Sequence, residues 1–150
     1  MGVRLEFSPE QAEEHLALQL ATSDRVRFAF VRQHQYVPGR QFKADIAFPP
    51  VRLLIEVQGG IAEGWRTRTD PVTKQKYREK ARGAHGSVEG VLRDNERLNL
   101  ATLHGWAVLR FTPDEVASGA ALTFIEGYLK SREDAARVVR AALHPFEVGA

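Results

Sequence analysis

The chain has 150 residues, a formal net charge of +2 and no cysteine, and none of its apolar runs approaches the length of a membrane span. This length suits one compact domain over residues 1–150, and the lack of cysteine excludes disulfides, thiolate metal sites and cysteine nucleophiles. We expect a protein of the cytoplasm, bacterial or of a phage-infected host, that does not contact a membrane and whose metal ligands, where it has any, are oxygen atoms or histidines.

The chain begins with a helix signal and continues with three strand-like segments. Ser8, followed by Pro9 and by Gln11 three residues after the serine, predicts a helix over 8–21 that starts with a capping box. Apolar residues then alternate with polar ones, or run together, between turn residues. We therefore expect strands in 27–37, 42–48 and 51–57, with Pro49-Pro50 joining the last two in a hairpin. The third segment is nearly all apolar, which is typical of a central strand.

Helix and strand signals resume after a basic segment at about 61–84. Helical spacing in the next segment ends at Gly105, a good C-terminal cap, and a second capping box begins with Thr-Pro at 112–115. We expect, in order, a helix, a strand and two further helices, at 87–104, at 106–111, from 112 onward and over 130–143. The order αβββαβ with an extra C-terminal helix predicts an α/β fold in which helices flank a mixed central sheet.

Positive charge is concentrated in residues 61–84. This segment holds seven basic and three acidic side chains, a net of +4, whereas the rest of the chain carries a net of −2. Trp65 and Tyr77 lie among the basic side chains, and aliphatic residues are few. Composition leaves two interpretations open, a mobile arm that meets phosphates or a solvated charged loop.

Two acids stand in segments that otherwise favour buried strands. Because side chains alternate along a strand, Lys43 and Asp45 share one face of theirs, and Glu56 and Gln58 share one face of the next. Pairing through the short turn brings these four side chains to one edge of the sheet. Together with the carbonyl oxygen of Val57, they suit Mg²⁺, which prefers oxygen ligands.

An alternative for Asp45 and Glu56 requires no metal. Acids at strand ends are often solvated or paired, and Arg52 or Lys43 could pair with them here. Against this, two like charges brought together in a partly buried place repel each other, and a cation would relieve the repulsion. Spacing alone does not decide between these readings.

The segments 31–60 and 93–116, "VRQHQYVPGRQFKADIAFPPVRLLIEVQGG" and "RDNERLNLATLHGWAVLRFTPDEV", resemble a known family. They are similar to the Vsr-like endonuclease-domain proteins of the PD-(D/E)XK phosphodiesterase superfamily, and the similarity covers roughly residues 8–129. It implies a restriction-endonuclease-like core (αβββαβ). It also implies an endonuclease that uses Mg²⁺, with Mn²⁺ accepted, to hydrolyse DNA phosphodiester bonds and leave a 5′-phosphate.

The resemblance assigns roles to individual positions. Asp45 matches the metal-binding aspartate of the motif, Glu56 its second acid and Gln58 its third position. Glu13 matches the acid of the first helix, with Glu14 as a neighbouring candidate, and would complete the metal shell directly or through water. Asp45, Glu56, Val57 and Gln58 are thus the expected metal ligands.

At two positions the sequence departs from the family pattern. The usual catalytic lysine is Gln58 here, and a neutral amide can ligate a metal or orient water but cannot act as a base near neutral pH. Lys43 could supply the missing ammonium or could be a surface lysine. The histidine that relatives place soon after the glycines is displaced by the basic segment. His85 would return to the site as a water-positioning group or general acid, or would flank the next helix at the surface.

DNA contacts are expected from three parts of the chain. The first strand borders the active edge in the resemblance, so Arg32 and His34 would contact the substrate, or else lie exposed on an outer strand. Asp94 and Arg97 match the helix before the last strand, and Arg97 would stabilise charge on the phosphate. The basic segment would clamp the DNA through Arg66, Arg68, Lys74 and Lys76, with Trp65 stacking on a base.

The preferred function is therefore a Mg²⁺-dependent DNA endonuclease, and two alternatives stay open. One is a non-catalytic module that binds nucleic acid, because the motif lysine is missing. The other is a nuclease subunit that cleaves only when a partner supplies DNA recognition, because no separate recognition domain is evident. Cutting both strands would require two active sites, which a homodimer would provide.

Overall fold

A computed structural model describes residues 7–58, 65–80 and 88–143, with the backbone alone described at 65–68 and 78–80. The described chain contains four α-helices and six strands. The helices are α1 (Pro9–Thr22), α2 (Val88–Leu103), α3 (Pro113–Ala117) and α4 (Ala120–Leu143), and the strands are β1 (Val31–Gln35), β2 (Lys43–Phe48), β3 (Leu53–Val57), β4 (Trp65–Thr69), β5 (Lys76–Lys80) and β6 (Ala107–Phe111). The predicted α/β class is confirmed.

A mixed four-stranded sheet forms the centre of the molecule, in the order β1-β2-β3-β6. β1 and β3 both pair antiparallel with β2, whereas β6 lies parallel to β3. The predicted hairpin between β2 and β3 is confirmed. Pro49–Val51 form a single 3₁₀ turn, and Arg52 completes the reversal in the left-handed region with φ +54°.

The two faces of the sheet pack against different helices. The larger core cluster joins alternate residues of β2 and β3, such as Ile46 and Ile55, to the buried stripe of α1 and to residues of α3 and α4. The smaller cluster joins the intervening residues, such as Ala47 and Leu54, to Trp106 and to Ala101 of α2. Helices therefore flank the sheet on both sides, as the sequence predicts.

Both predicted capping boxes are present. The backbone N–H of Gln11 donates to Ser8 Oγ, and Gln11 Oε1 accepts from the N–H of Ser8. Thr112 and Glu115 make the same pair of contacts at the start of α3. Each box satisfies two backbone N–H groups that the first helical turn leaves without partners, which fixes where the helix begins.

Three boundaries differ from the predictions. β1 occupies only the middle of the expected 27–37 segment. The last helix begins at Ala120 rather than at 130, directly after Gly119, whose φ of +84° separates α3 from α4. The basic segment contains an antiparallel pair, β4 and β5, where an arm or loop is expected.

The turn between β4 and β5 has its own stabilising contacts. Asp70 Oδ1 accepts from the backbone N–H of Val72 at 2.7 Å and of Thr73 at 2.8 Å. These hydrogen bonds hold the pKa of the Asp70 carboxyl below its ordinary value. The aspartate favours the turn because its side chain replaces backbone partners that the reversal removes. The basic pair is therefore an ordered hairpin with a capped turn.

Among residues 7–58, 65–80 and 88–143, no helix is both long enough and apolar enough to cross a membrane.

Candidate functional site

A cleft of about 230 Å³ opens where β3 ends, and we call it the β3 cleft. Its walls come from β2, β3, α2 and β6. The lining residues are Lys43, Asp45, Glu56, Val57, Gln58, Asp94, Arg97 and Arg110. The structure thus brings together all four polar side chains that alternation and the short turn predict at this edge.

Strand register explains the convergence. β2 and β3 pair antiparallel, with Ile46 opposite Ile55. Asp45, one residue before Ile46, therefore lies beside the C-terminal end of β3. β3 and β6 run parallel with Glu56 opposite Arg110. A register shift of one residue would turn Glu56 to the opposite face, so the tight turn and the parallel pairing together place the carboxylate in the cleft.

Asp45 is a partly buried acid of the cleft whose ionised form is disfavoured. Its Oδ2 accepts from the backbone N–H of Val57 at 2.8 Å. Burial raises the pKa of the Asp45 carboxyl, the Val57 hydrogen bond opposes the rise, and the negative charges of Glu13 and Glu56 add to it. A neighbouring cation would lower this pKa again.

Two arginines neutralise Glu56, whose side chain is 14% exposed. Arg97 Nη2 donates to Glu56 Oε1 at 2.8 Å. Arg110 Nε lies 3.2 Å from Glu56 Oε2, an ion-pair distance without hydrogen-bond geometry. The expected alternative partners of Glu56, Arg52 and Lys43, are therefore wrong.

Arg110 is a residue of the cleft that the sequence predictions missed. Its two terminal nitrogens bind Asp94 of α2 as a fork, at 2.8 and 2.9 Å. These hydrogen bonds are the main reason that the pKa of Arg110 is raised, against the effect of burial. The available signal was a lone charge in the apolar segment "WAVLRF", of the same kind as the acids in β2 and β3. Its partner could be named only once β6 was known to lie beside β3.

Contacts with several neighbours hold the Arg97 side chain in the cleft. Besides Glu56, it donates to the backbone carbonyl of Lys43 at 3.2 Å, and its guanidinium lies 5.8 Å from the centre of the Phe42 ring. Burial acts to lower the pKa of Arg97, but the Tyr36 hydroxyl and the Glu56 charge outweigh it and the pKa is raised. Arg97 therefore stays charged in a partly desolvated place.

Formal charges in the β3 cleft balance. Three acids face three bases, namely Asp45, Glu56 and Asp94 against Lys43, Arg97 and Arg110. Guanidinium groups therefore offset the paired acids here, as the metal-free alternative expects of cationic partners, and the metal site stays a prediction. In the part of the chain that the structure describes, no group of three or more His, Asp or Glu side chains is placed to hold a metal ion.

The other residues expected at the active edge lie around the cleft rather than in it. Glu13 accepts from Arg32 at 2.8 Å and from Gln33 at 2.9 Å. Arg32 also pairs with Glu14 at 2.6 Å, and the hydrogen bonds to Glu14 and Glu13 raise the pKa of Arg32. His34 packs against the ring of Trp106, in a neighbouring pocket. Glu13 reaches the cleft only through its charge, which acts on Asp45.

The residues expected to bind DNA from the basic segment are only partly described. Trp65, Arg66 and Arg68 lie in β4, where the backbone alone is described. Lys74 and Lys76 are exposed near the turn of the hairpin. His85 lies outside the described residues, so its predicted role stays a prediction.

No protein-family model, curated protein or solved structure matches the chain. The resemblance given above therefore stays an expectation, and the function is inferred from the cleft. The cleft combines carboxylate and amide oxygens, an exposed lysine and two partly buried guanidinium groups.

Proposed function

We propose that the protein is a metal-dependent DNA endonuclease with its active site in the β3 cleft and a restriction-endonuclease-like core. The observation that carries the proposal is the meeting of Asp45 and Glu56, from two adjacent strands, in a cleft lined by Arg97 and Arg110. Without the separate β4–β5 pair, the described elements up to β6 follow the order αβββαβ, and the four-stranded sheet has β3 parallel to β6 and its other neighbours antiparallel, as that core requires.

The donor set fits a hard divalent cation. Asp45, Glu56, the amide oxygen of Gln58 and the carbonyl of Val57 are all oxygen ligands, as Mg²⁺ and Mn²⁺ prefer. The raised pKa of Asp45 points the same way, because a cation would stabilise the ionised carboxylate that burial disfavours. When bound, Mg²⁺ would lower the pKa of a coordinated water and offset charge on the phosphate. Glu13 acts on this site through its charge, or through water.

Arg97 and Arg110 supply guanidinium donors of the kind that bind phosphate. The Nε–H groups of Arg97 and Arg110 are buried and have no hydrogen-bond partner among the described residues. A phosphate oxygen that displaced the Glu56 carboxylate would accept from these guanidinium groups, whose geometry suits phosphate. Both arginines would then stabilise negative charge as it develops during the reaction.

Hydrolysis requires a water oxygen to bond to phosphorus and release a proton to the solvent, while the bond to the 3′ oxygen breaks and that oxygen takes up a proton from solvent water as it leaves. Gln58 can orient the water but cannot remove its proton. Lys43, exposed at the mouth of the cleft, supplies an ammonium beside the phosphate. The β4–β5 hairpin, with Lys74 and Lys76, would hold the DNA by phosphate contacts, so DNA affinity that did not fall with salt would contradict this role.

One observation favours a second function, a module that binds nucleic acid without cleaving it. Both carboxylate oxygens of Glu56 already face arginines, and the cleft has no net formal charge. With Gln58 in place of lysine, the same cleft could hold a phosphate without hydrolysing it. A nuclease subunit that requires a recognition partner or a second copy of the chain would also show no cleavage when assayed alone.

A plasmid-cleavage assay tests the proposal. Supercoiled DNA is incubated with the protein and Mg²⁺, Mn²⁺ or EDTA, and the nicked and linear forms are measured. Wild type should cleave only with metal, and Glu56→Gln should lower the rate about a hundredfold or more, because it removes one of the two carboxylates that would hold the metal. Asp134→Asn, which changes an exposed acid of α4 in the same way, should cleave like wild type.

Each outcome selects one function. Cleavage that survives Glu56→Gln places the active site elsewhere. Absence of cleavage with every metal, while DNA is still bound, favours the binding module or the partner-dependent subunit. Addition of candidate partners to the same assay then separates these two.

A further inference from the structure

A second pocket, of about 400 Å³, lies beside the residue where β3 begins, and we call it the Arg52 pocket. Its walls include His34, Tyr36, Val37, Arg52, His104 and Trp106. Tyr36 lines this pocket, and its hydroxyl also contributes to the raised pKa of Arg97 in the cleft.

Arg52 is held in place without a carboxylate. Its Nη2 donates to the backbone carbonyl of His104 at 2.7 Å, and its guanidinium carbon lies 4.6 Å from the centre of the Trp106 ring. The residue has φ +54°, a conformation that favours glycine or asparagine. An arginine at a strained backbone position is a reason to look for a function of its side chain.

The charge of Arg52 is not offset nearby. In the described residues no carboxylate lies within ion-pair distance of Arg52, whereas Arg32, Arg97 and Arg110 each bind one or two. None of the residues that line the pocket is acidic, and His34 and His104 are among them. The pocket is therefore electropositive, with a planar fork of N–H donors already in position.

We propose that the Arg52 pocket is a second phosphate-binding site, which takes another phosphate of the nucleic acid that binds in the β3 cleft. This rests on the proposed function for the identity of the ligand. Guanidinium groups bind phosphate oxygens in pairs, and one held by a carbonyl and a ring loses little freedom on binding. The His34 ring, 5.4 Å from that of Trp106, offers a flat surface to the attached nucleoside.

Binding can be measured without cleavage. The chain has two tryptophans, so Trp65→Phe leaves Trp106, beside Arg52, as the only strong fluorophore. In EDTA, this protein is titrated with a short single-stranded oligonucleotide, once with and once without a 5′-phosphate. Affinity is followed by Trp106 emission and independently by anisotropy of a labelled strand.

Arg52→Gln, in the same background, should weaken binding on the order of tenfold and reduce the change in Trp106 emission, because charged hydrogen bonds to phosphate are lost. The matched control is Arg25→Gln, which removes the same charge from a side chain that is 78% exposed and lies at a different groove. It should change affinity less than twofold. His34→Ala, at the pocket wall, should weaken binding by a smaller factor and serves if Arg52→Gln does not fold.

The outcomes are separate from those of the cleavage assay. Equal affinities for wild type and both pocket variants, or equal losses with Arg52→Gln and Arg25→Gln, overturn the site even if the plasmid is cleaved. A loss confined to the pocket variants supports it even if no cleavage is found. If the 5′-phosphate raises affinity in wild type but not in Arg52→Gln, the pocket takes a terminal phosphate; if it has no effect, the pocket takes one from the backbone.

Discussion

β3 presents different chemistry on its two faces. Leu53, Ile55 and Val57 point into the larger core cluster and are apolar throughout. On the other face, Leu54 packs against Trp106, and two residues further on Glu56 meets two arginines. Packing on one face holds the strand in place. On the other face, the buried apolar residue Leu54 is followed two residues later by the charged residue Glu56. Substitutions at adjacent residues should therefore change different properties of the protein.

The largest expected effect is on the apolar face. Ile55→Ala removes a fully buried side chain and should lower the free energy of unfolding by about 2–5 kcal/mol, because contacts are lost and a cavity remains. Urea denaturation measures the change. Leu18→Ala, at an apolar residue of α1 that is 61% exposed, should cost far less. A similar loss at both positions would contradict the assigned core.

An intermediate effect on stability is expected on the charged face, where Arg110 lies between Glu56 and Asp94. Arg110→Gln leaves Glu56 and Asp94 without their shared guanidinium and should lower stability by about 1–3 kcal/mol, since both acids are partly desolvated. Arg137→Gln removes an arginine whose acid pairs are exposed and should change stability by less than about 0.5 kcal/mol.

Adding Asp94→Asn tests the bridge itself. If Arg110 and Asp94 act as a pair, the double variant should lose less than the sum of the two single variants. Additive losses would show that Arg110 stabilises the protein in another way.

The smallest expected effect has the opposite sign. Because the folded-state pKa of Asp45 is raised, its contribution to stability is greatest in acid and is lost as pH rises through that raised pKa. Asp45→Asn should therefore stabilise the protein at pH 7, by no more than about 1 kcal/mol because water screens the exposed part of the carboxyl. The gain should vanish as pH falls below the ordinary range of an aspartate.

Thermal unfolding across pH, with and without Mg²⁺, measures this difference. Mg²⁺ should raise the melting temperature of wild type and not that of Asp45→Asn, because a ligand that binds only the folded state stabilises it. Equal responses to Mg²⁺ would remove Asp45 from the metal ligands.

Local rules predicted much of the fold and part of the site. The capping boxes at Ser8 and Thr112 depend on residues three apart, and the meeting of Asp45 with Glu56 depends on alternation and one short turn. Such signals are contained in a few neighbouring residues, so they can be recognised without the rest of the chain.

What the sequence did not reveal depends on distant pairing. Arg110 faces Glu56 only because β6 lies parallel to β3, more than fifty residues away in the chain. The β4–β5 hairpin has basic side chains where an apolar alternation would mark strands. The anchoring of Arg52 required a carbonyl at the end of α2 and a ring at the start of β6, which no local pattern connects.

The contrast between the faces of β3 also bears on errors in assembly. Sliding β3 by one residue against β2 would press Glu56 into the apolar cluster and turn Ile55 to water, so the displaced pairing would lose both core and cleft. Pro49–Val51 leave no slack for such sliding. A molecule in which β3 is displaced by one residue should therefore be unstable, so correct pairing of β2 with β3 forms the core and brings Asp45 to Glu56 in the same step.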